Sequence, residues 1–329
     1  MSNVRLGLIG CGGNGRGHAL RSRELSGVEM AAFADVVEPA AKGLAEQFPG
    51  AYATGDPERI IRDDTVEGVI ISTHHDSHPR LAQAAAAAGK QILIEKPMAL
   101  TVEDCLRIEE AVAKAGVQLI VGFKMRYMPV VQAIHKLMPE PYLLVGQIMD
   151  SRWPDGHWAQ DPRTGGGNVL SQGVHNLDLL YYLANSGEPT SIYAAGGTIT
   201  HTNTEVVDNV FGVIKFRGGC VASVLNVDAG PPPHTSKFFV EAFDGKRAAS
   251  LFDRCHNAKL SGEPAEIRAA TDFPGEDPEG FVQELAEFVA CIREKRAPTI
   301  GARAADGTRA TRLALAAFES VRTGEPVRL

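Results

Sequence analysis

Apolar runs separated by helical stretches fill the first ~124 residues, and this alternation narrows the fold to one class. VRLGLIG (4–10), VEMAAFAD (28–35), GVIIST (68–73), QILIE (91–95) and VQLIVGF (117–123) each read as a strand that is apolar on both faces. Between them lie a helical stretch through Leu25, EPAAKGLAEQF (38–48), SHPRLAQAAAAAG (77–89) and TVEDCLRIEEAVAKAG (101–116). Pro39 and Pro79 suit first helical turns, Ser77 suits an N-cap, and Thr101 with Asp104 approximates a capping box. Strands buried on both faces and alternating with helices predict a parallel sheet, and right-handed crossovers make it doubly wound. Ligands of such sheets bind beyond the carboxyl ends of the strands. Gly10, Asp35, Thr73, Glu95 and Lys96 are therefore expected along one edge.

The first strand runs into GCGGNG, which sets Gly10, Gly12 and Gly15 in a G-x-G-x-x-G array. Gly10 is expected to make the tight turn and Gly12 to admit a pyrophosphate close to the backbone. Gly15 is expected to let helix pack on strand. The helix opened by Gly13, Asn14 and Gly15 offers unpaired N–H groups to phosphates. Asp35 follows Gly15 by twenty residues and ends the second strand, where a carboxylate can accept from ribose hydroxyls. Its charge repels a 2′-phosphate, and Val36 and Val37 follow it rather than Arg or Lys. The motif in this context predicts a Rossmann domain over 1–124 that binds NAD in preference to NADP. Ser72, Thr73, His74, Glu95, Lys96 and Arg126 are further expected cofactor contacts.

After Phe123 the rhythm changes. RYMPVVQAIHKLM (126–138) reads as a helix, YLLVGQIMDSRW (142–153) as a strand and NVLSQGVHNLDLLYYLAN (168–185) as a helix. From Ser191 to about Leu260 the chain is strand-rich, with Gly-Gly and Asp-Gly pairs at several turns. Two closing helices are expected over 280–295 and 304–324. Residues 125–329 thus predict an α+β domain with an open, mostly antiparallel sheet for substrate binding and oligomerisation. An open sheet has two faces to cover, so a homodimer or homotetramer is expected. GPPPHTSK (230–237) reads as a rigid loop bordering a pocket or an interface.

The 329 residues carry 33 basic and 40 acidic side chains, a net charge of −7 that argues against nucleic acid and anionic membranes as partners. No apolar run reaches bilayer length, and the N-terminus lacks a signal-peptide pattern. The five cysteines are scattered, with no C-x-x-C pair, which fits free thiols in a reducing cytoplasm. His74, His75 and His78 cluster in THHDSH, but their spacing matches no metal-ligand pattern and no metal is expected. Trp153 and Trp158 can stack on a sugar ring, and His157, Asp161 and Arg163 can bind hydroxyls or a carboxylate.

AGKQILIEKPMAL (88–100), GGGNVLSQGVHNLDLL (165–180) and PEGFVQELAEFVACIREKRAPTI (278–300), together with GLIGCGGNG, resemble the Gfo/Idh/MocA oxidoreductases along essentially the whole chain. That resemblance implies an NAD(P)-dependent enzyme moving a hydride between nicotinamide and a secondary hydroxyl of a sugar, cyclitol or related polyol. It makes Lys96 and His175 the catalytic pair, with both also at the substrate. Many relatives carry Asp four residues before the histidine, and here Ser171 stands there as an uncharged substrate contact. Lys96 can clamp a developing alkoxide or act as a base, with Pro97 restricting its backbone. His175 suits a general base, with Asp178 three residues on able to orient it or cap a turn. A redox-neutral NAD-using glycoside hydrolase or lyase, and a non-catalytic NAD-binding regulator, are the alternative classes.

Overall fold

A computed structural model of the chain describes residues 3–230 and 236–329. Most of GPPPHTSK, residues 231–235, lies outside them. The chain forms two compact units. One holds the residues through Phe123 together with Phe281–Thr308, the other Lys124–Gly280 with Arg309–Leu329.

In the first unit β1 (Val4–Ile9), α1 (Gly13–Arg21), β2 (Val28–Ala34), α2 (Glu38–Ala45), β3 (Tyr52–Thr54), α3 (Pro57–Ile61), β4 (Gly68–Ile71), α4 (His78–Ala87), β5 (Gln91–Ile94), α5 (Val102–Ala115) and β6 (Leu119–Val121) follow in order. All pairings are parallel, in the order β3-β2-β1-β4-β5-β6. That is the doubly wound order. The expected five strands are present, and β3 with α3 adds a sixth strand and a helix that the apolar pattern did not reveal. β3 is three residues long and half-buried in its first two, too short to show a period.

Two local expectations fail. α1 stops at Arg21 and tightens into a 3₁₀ turn over Ser22–Glu24, leaving Leu25 extended. Ser77 does not cap α4. Its Oγ donates to the His74 carbonyl and meets the Thr73 hydroxyl, because residues 75–77 already form a 3₁₀ turn. Thr101 does cap α5, accepting from the Asp104 N–H, and Gly116 closes that helix in the left-handed region.

The second unit contains α6 (Pro129–Leu137), β7 (Leu143–Ser151), α7 (Val174–Ala184), β8 (Pro189–Gly197), β9 (Asn209–Phe216), β10 (Val221–Gly230), β11 (Phe238–Phe243), β12 (Ala248–Phe252), β13 (Asn257–Leu260), β14 (Glu266–Arg268) and α8 (Ala269–Asp272). α9 (Phe281–Glu294) belongs to the first unit, α10 (Ala304–Thr323) starts there and ends in the second, and β15 (Val327–Arg328) completes the chain. Among the described residues the second sheet has nine strands in the order β14-β13-β12-β11-β7-β10-β9-β8-β15, antiparallel except for β7 with β10. One face buries Leu144, Ile148, Val224, Ile214 and Val240, while the alternate positions Tyr193, Phe211 and Val213 are exposed.

The sequence-based division at 124/125 kept 281–308 with the second domain. The structure groups them with the first, because Leu285, Phe288 and Val289 on α9 enter the same core as Leu6, Leu8, Met30 and Phe33. Burying a side chain such as Phe288 is worth about 1.5–3 kcal/mol, enough to decide where a helix packs.

The helix expected over 126–138 is split. Lys124–Tyr127 is a 3₁₀ turn, and Met128 adopts φ −58°, ψ 127° before Pro129 opens α6. Proline crowds the residue before it out of the helical region. Within the helix expected over 168–185 a π turn spans Val169–Gly173 before α7 starts. Such turns add a residue and rotate everything downstream.

Candidate functional site

The cofactor edge of the first unit is set by the carboxyl ends of β1, β2, β4 and β5. Gly10 leaves β1 at φ +95°, and a Cβ there would lie 2.2 Å from the Ser72 carbonyl oxygen. At Gly15 a Cβ would lie 1.9 Å from the Gly10 oxygen, so α1 can approach β1 only with glycine there. Gly12 and Gly13 differ, being exposed, with nothing within 4 Å of an added Cβ. Open backbone at the start of a helix fits a pyrophosphate.

Asp35 binds this loop directly, its Oδ2 accepting from Cys11 N at 2.7 Å and its Oδ1 from Val37 N at 2.8 Å. Each carboxylate oxygen keeps a further lone pair for a ribose hydroxyl. Burial, with the charge of Asp35 second, pushes the Cys11 thiol up to about 12, so it stays protonated beside the loop. Ser72 and Thr73 are half-buried just past β4, and His74 is exposed. Of the three histidines of THHDSH, His74 points outward, while His75 and His78 lie inward with ring centres 5.7 Å apart. Among the described residues no cluster of metal-ligating side chains occurs.

Glu95, Lys96 and Pro97 follow β5 and are all buried, with a cis peptide between Lys96 and Pro97. Glu95 does not stand against Lys96 alone. Its Oε1 accepts from His18 Nε2 at 2.8 Å, and its Oε2 accepts from the Lys96 backbone N–H at 3.3 Å. His78 Nδ1 bonds the Pro97 carbonyl at 2.9 Å. Burial, outweighing Pro97 and Glu95, lowers the His78 pKa and keeps the ring neutral. The sequence reading missed His18. Its signal was a polar residue on the inward face of the glycine-loop helix, three positions after Gly15.

The second unit carries the remaining expected residues. His175 and Ser171 are buried, Ser171 on the π turn and His175 in the first turn of α7. Asp178, which the sequence offered as able to orient His175 or cap a turn, binds Arg126. Its oxygens take Arg126 Nε at 2.8 Å and Nη2 at 2.6 Å, a two-point pair with both side chains buried. Arg126, expected at the cofactor, is thereby committed to α7, with its guanidinium 5.2 Å from the Tyr182 ring centre. The turn carrying Arg126 is tied down again by Glu279, which pairs with Lys124 and accepts from Arg254 Nε at 2.9 Å and His256 Nε2 at 3.1 Å.

Trp153, His157 and Trp158 form one aromatic cluster, with successive ring centres 5.1 and 5.7 Å apart. The loop holding them is anchored to the sheet by Asp228 at the end of β10. That carboxylate takes Trp153 N at 3.0 Å, Gln160 Nε2 at 2.9 Å and His201 Nε2 at 2.7 Å. Arg163 does not join the cluster. It points outward and pairs with Asp161 of its own turn, which raises the guanidinium pKa and lowers that of the carboxyl.

Comparison with known proteins decides the family. The model described as "Oxidoreductase family, NAD-binding Rossmann fold" matches residues 4–123, and the GFO/IDH/MocA C-terminal domain matches residues 140–242. The chain belongs to the Gfo/Idh/MocA family. It is an NAD(P)-dependent oxidoreductase. It is 26% identical over 335 residues to the scyllo-inositol 2-dehydrogenase (NAD(+)) of Bacillus subtilis, covering 99% of this chain and 96% of that protein. It is also 26% identical to the D-xylose 1-dehydrogenase (NADP(+)) 2 of Haloferax volcanii, covering 99% and 100%. An oxidoreductase domain protein from Kribbella flavida has the same fold, with a TM-score of 0.89 at 22% identity over 100% and 99% of the two chains.

Proposed function

We propose that this family member oxidises a secondary hydroxyl of a cyclitol, sugar or related polyol, using NAD⁺ rather than NADP⁺. The observation that carries the reading is the buried Lys96 at the carboxyl end of β5, on the sheet edge that also holds the Gly10–Gly15 loop and Asp35. Support for the substrate class comes from relatives named as inositol and xylose dehydrogenases. Support for NAD comes from Asp35, whose charge disfavours a 2′-phosphate, and from the two valines, Val36 and Val37, that follow it in place of a basic residue.

When bound, the nicotinamide supplies the acceptor for the hydride of the alcohol carbon. Lys96 Nζ donates to the substrate oxygen and stabilises negative charge developing there. His175 accepts the hydroxyl proton. Ser171 donates or accepts one hydrogen bond with a neighbouring hydroxyl, while Trp153 and Trp158 offer their faces to the apolar side of the ring. The second unit, Lys124–Gly280 with Arg309–Leu329, binds the substrate and forms the oligomer. A second copy covers the outer sheet face, where Tyr193 lies opposite Val213 and Ala195 opposite exposed Phe211. The protein works in the cytoplasm, consistent with five free cysteines and with no helix long and apolar enough to cross a membrane among the described residues.

The test is NADH formation with scyllo-inositol, myo-inositol, D-xylose and a wider polyol panel, run with NAD⁺ and NADP⁺. Substrate-dependent NADH release supports the dehydrogenase. Tight cofactor binding with no net NADH across the panel sinks it, and an NADP⁺ preference above about tenfold, or 1.4 kcal/mol, sinks the cofactor assignment.

A further inference from the structure

Two buried histidines hold the turn that carries Lys96, one on each side of it. His18 comes from α1 and bonds Glu95, the residue before the lysine, with the two side chains 2% and 7% exposed. The carboxylate oxygen accepts and the His18 ring N–H donates. The second Glu95 oxygen then receives the Lys96 N–H, so His18 reaches the lysine backbone through one carboxylate. His78 is the first residue of α4 and is fully buried. It donates from Nδ1 to the carbonyl of Pro97, the residue after the lysine. Phe281 closes the His18 side, its ring edge-on at 5.7 Å, and Arg21 covers Phe281 at 4.4 Å.

Lysine has a flexible four-carbon stem, so where its ammonium can go depends on where its backbone is fixed. Reactive groups must be held to within about half an ångström for full effect. A chain reaching a reacting atom from a strand-end turn therefore needs that turn held rigidly. We propose that His18 and His78 are positioning residues for the reaction, clamping Glu95 and Pro97 so that Lys96 leaves the turn in a single direction. This rests on the reading of Lys96 as catalytic. α1 is also the helix opened by the glycine loop, so the clamp joins the cofactor loop and the lysine turn through one buried contact.

The experiment compares His18→Ala, His18→Gln, His78→Ala and His78→Asn with Lys96→Ala and the wild type. Gln can place its amide N–H near the position of Nε2, and Asn near that of Nδ1. Three readouts are taken: single-turnover oxidation of myo-inositol by NAD⁺, NADH affinity by fluorescence, and crystal structures of the histidine variants. The alanine variants are expected to lose about tenfold or more in the single-turnover rate constant, with the apparent substrate Kd and the NADH Kd within about threefold. His18→Gln and His78→Asn are expected to recover most of that loss through the retained donor. The Lys96 backbone should shift in both alanine structures.

Alanine variants within about twofold of wild type, alongside a crippled Lys96→Ala, overturn the clamp and leave the catalytic lysine standing. A Lys96→Ala enzyme at wild-type rate overturns the reading beneath it. If myo-inositol is inert, the structures decide, and an unmoved Lys96 backbone in both alanine variants overturns the proposal. If an alanine variant does not fold, His78→Asn is compared with His78→Gln, and equal Lys96 positions in the two overturn it.

Discussion

The turn after β5 and the start of α7 each carry one proposed catalytic side chain, and they are held in opposite ways. Lys96 sits on a strand end whose neighbours in sequence, Glu95 and Pro97, are each bonded by a histidine from a flanking helix. His175 sits where a π turn passes into an α-helix, three residues before Asp178, which binds Arg126 from a separate turn. A strand end inherits its place from the sheet ladder. A residue on a helix depends on the phase of that helix, which a single inserted residue changes. Sequence spacing is thus a sound guide to where Lys96 lies on the sheet edge, while the contacts that hold it come from α1 and α4.

The sharpest way to break this comparison is to remove each side chain in turn. Lys96→Ala and His175→Ala are each expected to slow hydride transfer by about 10²–10⁴-fold in stopped-flow experiments, as for lost general acid–base or charge-stabilising groups. Near wild-type rates in both would remove the catalytic pair. The next effect is on stability. Asp178→Asn takes away the carboxylate that holds buried Arg126, and breaking such a pair costs about 3–5 kcal/mol in urea unfolding. A loss below about 1 kcal/mol would mean that the pair does not anchor α7. His175-dependent chemistry should then suffer more than NADH binding does.

The smallest effect is in pH dependence, again in the second unit. Burial alone would raise the Glu279 pKa, but the bonds and charges of His256, Lys124 and Arg254 outweigh it and hold the carboxyl far below the usual range. A group depressed in the folded state contributes stability above its unfolded value of about 4.3, and loses it as pH falls toward the folded value. Unfolding free energy should therefore drop as pH is lowered from about 5 to 2, with a shallower slope in Glu279→Gln. Equal slopes for the two proteins would show that the turn bearing Arg126 does not depend on this carboxylate.

Much of the site was legible because its signals are local. Gly10 and Gly15 answer to backbone geometry within one strand–turn–helix unit, and the structure shows the close approaches that the spacing predicts. The pairings of Arg163 and Asp178 were not marked in the sequence. Arg163 satisfies its charge within its own turn, and Asp178 pairs with a residue 52 positions away. His18 was overlooked because a histidine on an inward helical face carries no motif, and its partner Glu95 is 77 residues distant.

By itself the sequence determined the strand–helix alternation, the glycine loop, the acidic end of β2 and the lysine at the end of β5. These follow from periodicity and from steric rules that act over a few residues. Tertiary structure alone decided that α9 joins the first core, that Arg126 is committed to Asp178, that Asp228 anchors the tryptophan loop and that two histidines grip the lysine turn. Those choices depend on which buried polar groups find partners across long stretches of chain, and burial makes each such pairing obligatory without marking it in the local pattern.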